Sequence, residues 1–271
     1  MMKKKMMFGA ALVVGAMMAS CSQNTDFVGQ TEDGEGLLTL SLSSDANFKG
    51  STRAVSESSY KVVDNYTVVV TDKDGVERLR CYGSEVSSRL PITLPLGSCQ
   101  VEAFYGTEKA YSRDAFYVYG KAIRTISENK TASAEVVCTP TCGRITVNFG
   151  SEMSKYYSDY NVTFSGTEAM GEESIVWAKN DTEPWYVKLN EGGETISFAI
   201  TATPKDEYVN NEQQGNVKTG TFTLNRNKAY KMNISPNYTS TDLSNIKISI
   251  TIDESTNDKY VETEIPIEWA N

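Results

Sequence analysis

The chain has 271 residues, 26 Lys and Arg against 35 Asp and Glu, five Cys and no His. At 39% hydrophobic and 23% charged it can bury one or two real cores, and it matches neither disordered nor polytopic membrane composition. The formal charge of −9 argues against nucleic acid as a partner, since no basic excess is present to release phosphate counterions, and the lack of His removes the commonest general base, the commonest zinc ligand and every Ser-His or Cys-His nucleophile pair. A non-enzymatic chain with no catalytic residue, metal or cofactor is expected.

Lys3, Lys4 and Lys5 form a positive segment ahead of the apolar run Met6–Met18. That run is shorter than the roughly 20 residues a spanning helix needs, so residues 1–20 read as a signal peptide. Ala19 and Ser20 stand directly before Cys21, which resembles the lipobox of bacterial lipoproteins, with Met18 where that motif usually has Leu. The resemblance implies cleavage before Cys21, lipid attachment at Cys21 and a membrane partner reached through the acyl chain. The alternative is an ordinary secretory signal followed by an incidental Cys. Residues 21–36 are polar, acidic and Gly-containing and read as a flexible tether.

Beyond Gly36 nearly every segment has the period of two expected of half-buried strands. Leu38, Leu40 and Leu42 alternate with Thr39, Ser41 and Ser43. Tyr66–Thr71 leads into Asp74-Gly75, a hairpin signal, and Val76–Tyr82 returns. Strands follow at Leu90–Leu94, Cys99–Tyr105, Ala115–Tyr119 and Ala132–Cys138. The second half continues with Arg144–Phe149, Tyr160–Phe164, Trp185–Leu189, Thr195–Thr201, Lys218–Leu224, Ala229–Ile234, Ile246–Ile252 and Tyr260–Ile267. Only Ser151–Ser158 suits a helical turn, with Ser151 as its N-cap. The pattern predicts an all-β fold.

Three correspondences at nearly constant separation point to an internal repeat. They match Tyr66-Thr67-Val68 with Tyr160-Asn161-Val162, Leu94 with Leu189, and Lys130 with Lys228. Two copies of an immunoglobulin-like sandwich are therefore expected, at residues 37–140 and 141–271, with the seam at Cys138-Thr139-Pro140-Thr141-Cys142, where Pro140 interrupts the strand pattern. Residues across most of 36–205, among them Tyr66-Thr67-Val68-Val69-Val70, Leu94-Pro95-Leu96-Gly97-Ser98, Val101–Gly106, Phe116–Gly120 and Arg144–Val147, resemble a family of gut-anaerobe surface lipoproteins of unknown function, domain-of-unknown-function family 4493. The resemblance implies a fimbrillin-like pair of immunoglobulin-like or transthyretin-like sandwiches on a lipid anchor in the outer membrane, at the cell surface. It implies no activity.

Several residues are candidates for a function. Asp72, Asp74 and Glu77 around Gly75 are too few for an EF-hand loop and read as a turn. Cys81 and Cys99 fall at the ends of neighbouring predicted strands and Cys138 and Cys142 flank Pro140, so disulfides and buried thiols are both open. Trp177, Trp185 and Tyr186 lie close together and could stack on sugar rings, or could fill a core. Glu172-Glu173 and Asp253-Glu254 read as solvated turn charge. Arg53 sits in the polar loop Lys49–Val55. In the fimbrillin pilins that the chain resembles, a protease cuts after such an Arg, the first strand leaves, and a neighbour's strand fills the groove. An ordinary surface Arg is the alternative. Two functions follow as expectations: a structural or adhesive surface protein partnered by pilus subunits, or a surface glycan-binding lipoprotein serving polysaccharide uptake.

Overall fold

The computed structural model describes residues 34–46, 48, 56–206, 216–236, 246–253 and 268–269. The chain forms β1 (Glu35–Ser44), β2 (Thr67–Thr71), β3 (Glu77–Tyr82), α1 (Val86–Arg89), β4 (Ile92–Pro95), β5 (Gly97–Gly106), β6 (Tyr111–Ser112), β7 (Tyr117–Ile126) and β8 (Thr131–Pro140). It continues as β9 (Cys142–Phe149), α2 (Met153–Tyr156), β10 (Tyr157–Ser165), β11 (Ser174–Ala178), β12 (Trp185–Lys188), β13 (Glu194–Pro204), β14 (Asn216–Leu224), β15 (Ala229–Pro236), β16 (Ile246–Asp253) and β17 (Glu268–Trp269). Alternation decides which face each strand buries. On β5, Cys99, Val101 and Ala103 point inward while Gln100, Glu102 and Phe104 point out, as the two-residue side-chain period requires.

Strand order shows the repeat directly. In the first half the order is β3-β2-β5-β7-β8-β1-β4, and in the second two sheets run β11-β10-β13-β14-β17 and β16-β15-β9-β12-β6. The segment β3-β2-β5-β7 thus has its counterpart in β11-β10-β13-β14, and β8-β1-β4 in β15-β9-β12. Even strand direction repeats: β1 runs parallel to β8 and antiparallel to β4, and β9 runs parallel to β15 and antiparallel to β12. One core gathers Leu38, Val68, Leu94, Val101, Val118 and Val136. The other gathers Val147, Val162, Trp177, Phe198, Tyr230 and Met232. Each lies between layers of sheet, the arrangement of a β-sandwich.

The two cores meet without a linker. Thr141 alone separates β8 from β9, its N–H donating to the Tyr117 carbonyl at 3.0 Å and its carbonyl accepting from Leu189 at 3.0 Å. Pro140 does not interrupt β8 but ends it, paired with Val118. On β12 both central residues are buried, and they serve opposite cores: Val187 the second, Tyr186 the first. The short pair of β6 with β12 adds a strand from the first half to the edge of the second.

Most predicted strands lie within a few residues of their expected places. β7 is longer than Ala115–Tyr119, because Lys121, Ile123 and Thr125 alternate with the inward Ala122 and Ile126. β11 is an addition. The turn at 153–156 forms, but Glu152 occupies its N-cap and Ser151 does not. Tyr260–Ile267 lies outside the described residues. Gly75 has φ of +78°, the left-handed conformation that a hairpin turn requires there. Asp72 fastens that turn: its Oδ1 accepts from the N–H groups of Asp74 at 2.9 Å and Val76 at 3.0 Å, and its Oδ2 from Arg78 at 2.6 Å.

Disulfides are not formed: Cys81, Cys99, Cys138 and Cys142 are all free and buried, and all four line the first core. β2 lies between β3 and β5, which separates Cys81 from Cys99 by two strand spacings of about 4.8 Å, and Cys99 is displaced along β5 from Ala103, the residue level with Cys81. That exceeds the roughly 7 Å Cα span of a bridge. The Cys138 Sγ lies 3.5 Å from the Ala103 carbonyl, and burial pushes its thiol up to about 12. With Cys21 blocked, a thiol reagent is expected to label none of the four in the native protein and all of them in denaturant. Rapid native labelling would contradict their burial.

Candidate functional site

The first strand is the element whose seat bears on assembly. β1 enters beside Gly36, where a Cβ would collide with the Ser127 carbonyl, so the close approach of the β7–β8 turn excludes a side chain. Leu38 is fully buried in the first core. Along one edge β1 pairs with β8 from Leu37↔Thr131 to Ser44↔Cys138. Along the other, β4 pairs only with Glu35–Leu38. After that point the chain of α1 turns away, and Thr39, Leu40 and Leu42 border a cleft of about 510 Å³ whose lining mixes apolar Val63, Val86 and Leu90 with polar Asp64, Ser84 and Ser87. Leu40 and Leu42 are consequently only half-buried. A strand edge with backbone groups beside a partly apolar cleft is the geometry to which an extended segment can add.

Where β1 ends, the chain is tied down again by a different kind of contact. The Ser44 hydroxyl donates to the Tyr60 carbonyl at 2.7 Å and the Tyr66 hydroxyl donates to the same carbonyl at 2.6 Å. Burial pushes the Tyr66 phenol up to about 12. A helical turn over Glu57–Lys61 then carries Glu57 into the space between the sandwiches, where its side chain is 1% exposed. There it accepts from the Tyr186 hydroxyl at 2.7 Å and faces Arg144 at 3.2 Å. Arg144 and Tyr186 are direct partners across β9 and β12, so one sheet presents both. Burial raises the Glu57 carboxyl above its ordinary pKa, and the Tyr186 hydrogen bond and the Arg144 charge oppose that rise. Tyr186 also stacks on Phe116 at 4.9 Å and touches Phe48 at 5.7 Å.

The aromatic trio does not form a sugar-stacking surface. Trp177 is 1% and Tyr186 2% exposed, and they belong to different cores. Trp185 is half-buried, with the Arg113 guanidinium 4.2 Å from its ring centroid and Tyr111 edge-on at 5.8 Å. Arg113 further reaches Asp181 at 2.6 Å and the Val176 carbonyl at 3.1 Å, and the Trp185 indole donates to that carbonyl at 3.2 Å. Those two side chains cap the edge strand β11 and clamp the first half onto the second. Glu173, read from sequence as solvated charge, accepts from Tyr111 at 2.7 Å. Cys21 and Arg53 lie outside the described residues. Glu57 and Arg113 escape sequence reading because each sits in a polar stretch with no periodic signal of burial, and Arg144 escapes it because strand alternation puts its side chain on the face opposite Ile145 and Val147, where solvent is expected. Among the described residues no group of three or more metal-ligating side chains converges.

The fold defines an all-β protein of two tandem sandwiches sharing a wall. The chain belongs to the family described as Domain of unknown function (DUF4493), which matches residues 34–267. Among curated proteins none matches. Of solved structures, a fimbrial assembly protein from Parabacteroides distasonis is 12% identical, with 84% of this chain and 98% of that chain covered and a TM-score of 0.42. A candidate cell adhesion protein from Bacteroides eggerthii is 13% identical, covering 80% and 95% with a TM-score of 0.42. A candidate adhesin from Bacteroides ovatus is 12% identical, covering 88% and 96% with a TM-score of 0.43.

Removing the buried carboxylate tests the joint. Glu57→Ala takes away the Arg144 counter-charge and the Tyr186 acceptor together and is expected to cost about 3 kcal/mol in urea unfolding. Tyr186→Phe, which removes one hydroxyl, is expected to cost about 1–2 kcal/mol. Changes below about 0.5 kcal/mol in both, the size of ordinary surface substitutions, would contradict the arrangement.

Proposed function

We propose that this chain is a non-enzymatic surface lipoprotein, anchored in the outer membrane through Cys21, and that it serves as a fimbrillin-like structural or adhesive component: a pilus, anchor or tip subunit. The observation that carries the reading is the seat of β1. It is the first strand of the first sandwich, it fills a place between β4 and β8, and beyond its β4 pairing Thr39, Leu40 and Leu42 border a partly apolar cleft. A cut after Arg53 would separate it from the segment that Glu57, Tyr60 and Tyr66 hold. Departure of β1 would expose the slot of Leu38 and unpair β8 along Thr131–Cys138. Burying one Leu is worth about 1.5–3 kcal/mol and unpaired buried backbone adds to the cost, so a neighbour's strand would be strongly favoured in the vacancy.

The anchor and the strand can be read together. The N-terminus and intact mass of the protein taken from native membranes are expected to show an acylated Cys21. Limited trypsin digestion of the full chain is then expected to yield a fragment starting at Ala54 that assembles into a ladder resistant to SDS without heating. A chain with a free, unacylated start upstream of β1 would overturn the anchor. A digest that stays monomeric, with β1 lost, would overturn strand exchange and leave an anchor or tip role.

A further inference from the structure

The outward face of β3-β2-β5-β7 carries a feature that the seat of β1 does not use. Tyr82 pairs with Thr67, Thr67 with Phe104, Phe104 with Tyr119 and Tyr119 with Thr139. Cross-strand partners share a face, and their neighbours Cys81, Val68, Ala103, Val118 and Cys138 fill the first core, so this register row points outward. It crosses from β3 to β8, a width of roughly 19 Å at about 4.8 Å per strand. Tyr117 flanks it, its ring 6.3 Å from that of Tyr119 at an interplanar angle of 20° and 6.0 Å from that of Phe104. Tyr82 is 62% exposed. At its end of the row a cavity of about 280 Å³ is lined by Thr67, Arg80, Cys81, Tyr82 and Glu85.

We propose that this row and its terminal cavity form a binding face for a neutral polysaccharide chain. A sugar ring presents C–H groups on its faces and hydroxyls at its rim, and it needs aromatic rings with hydrogen-bonding groups set between them. Phe104, Tyr117, Tyr119 and Tyr82 supply the rings. Glu102, whose Oε1 accepts from the Tyr119 hydroxyl at 2.6 Å, supplies a carboxylate beside the row, and Thr67 and Thr139 supply hydroxyls within it. Charge selects against acidic glycans. The Tyr119 hydrogen bond holds the Glu102 carboxyl below its ordinary pKa, and the Tyr82 N–H does the same for Glu85, so both are ionised at neutral pH. Arg80 is matched by Glu77 at 2.7 Å, and the whole chain carries −9. The face is independent of strand exchange and does not rest on it.

Affinity electrophoresis of the full chain tests this, in gels cast with xylan, mannan, soluble starch or, as the acidic probe, polygalacturonate. Retardation is expected in at least one neutral gel and not with polygalacturonate. Tyr82→Ala, at an exposed position that leaves the fold intact, is expected to weaken it about 2- to 10-fold, the size of one aromatic contact, and Tyr82→Ala with Tyr119→Ala to abolish it. No retardation in any neutral gel, equal retardation by polygalacturonate, or full retention by a folded double variant would each overturn the proposal.

Discussion

A stretch of sheet buried on both faces, at β12 and the start of β9, is the constraint from which the rest of this structure follows. On β12 Val187 faces the second core and Tyr186 the first, while on β9 Ile145 and Val147 serve the second core and Arg144 points back toward the first half. Burying both faces of β12 and of the start of β9 ties the sandwiches into one body, and it obliges any polar group on that stretch of the wall to find a partner in a space from which water is excluded. Glu57 is that partner. Its carboxylate is costly to desolvate, and the Tyr186 hydroxyl and the Arg144 guanidinium offset the cost. The single residue Thr141 between β8 and β9 is sufficient because the joint is made by packing and not by a linker.

From that wall outward the first sandwich divides into a held part and a less held part. Residues 57–66 are fixed by Glu57, by the Tyr60 carbonyl and by the aromatic stack of Tyr60 on Phe116 at 3.7 Å. β1, the preceding element, depends on the β8 ladder, on Leu37 and Leu38, on a β4 pairing that ends at Leu38, and at its last residue on the Ser44 hydroxyl bonded to the Tyr60 carbonyl. Arg53 lies in the sequence between the two parts. Stability is thus unevenly distributed along consecutive elements, which is the condition under which one strand can be exchanged while the remainder stays folded. The aromatic row from Tyr82 to Tyr119 lies on the outward face of the sheet that also pairs through β8 to β1, so an assembling surface and a glycan-binding surface would not compete for residues.

Strand periodicity made the fold legible because a half-buried strand must alternate: Leu38 on β1, Val68 and Val70 on β2, and Val101 and Ala103 on β5 all face the core that their pattern implies. The repeat was legible as well, since Tyr66 directly precedes β2 and Tyr160 lies within the equivalent strand β10, and Lys130 and Lys228 precede equivalent strands β8 and β15. Alternation does not say which core a buried residue joins. Trp177, Trp185 and Tyr186 are close in sequence and look like one cluster, yet the reversal between β11 and β12 sends Trp177 and Tyr186 to separate cores. The thiols were legible only as a choice between bridges and burial, because strand order, with β2 interposed between Cys81 and Cys99, is a tertiary fact. Glu57 was illegible for the same reason: its neighbours Ser56 and Ser58 read as a solvated loop, and its burial is imposed by Arg144 and Tyr186, distant in sequence.

The most direct test of a shared wall is whether the sandwiches unfold together. Equilibrium urea unfolding of the full chain can be followed by Trp fluorescence, which reports Trp177 in the second core, and by pulse labelling of Cys138, which reports the first. One transition with coincident midpoints is predicted for both probes. Two separated midpoints, with either core surviving the loss of the other, would contradict the account.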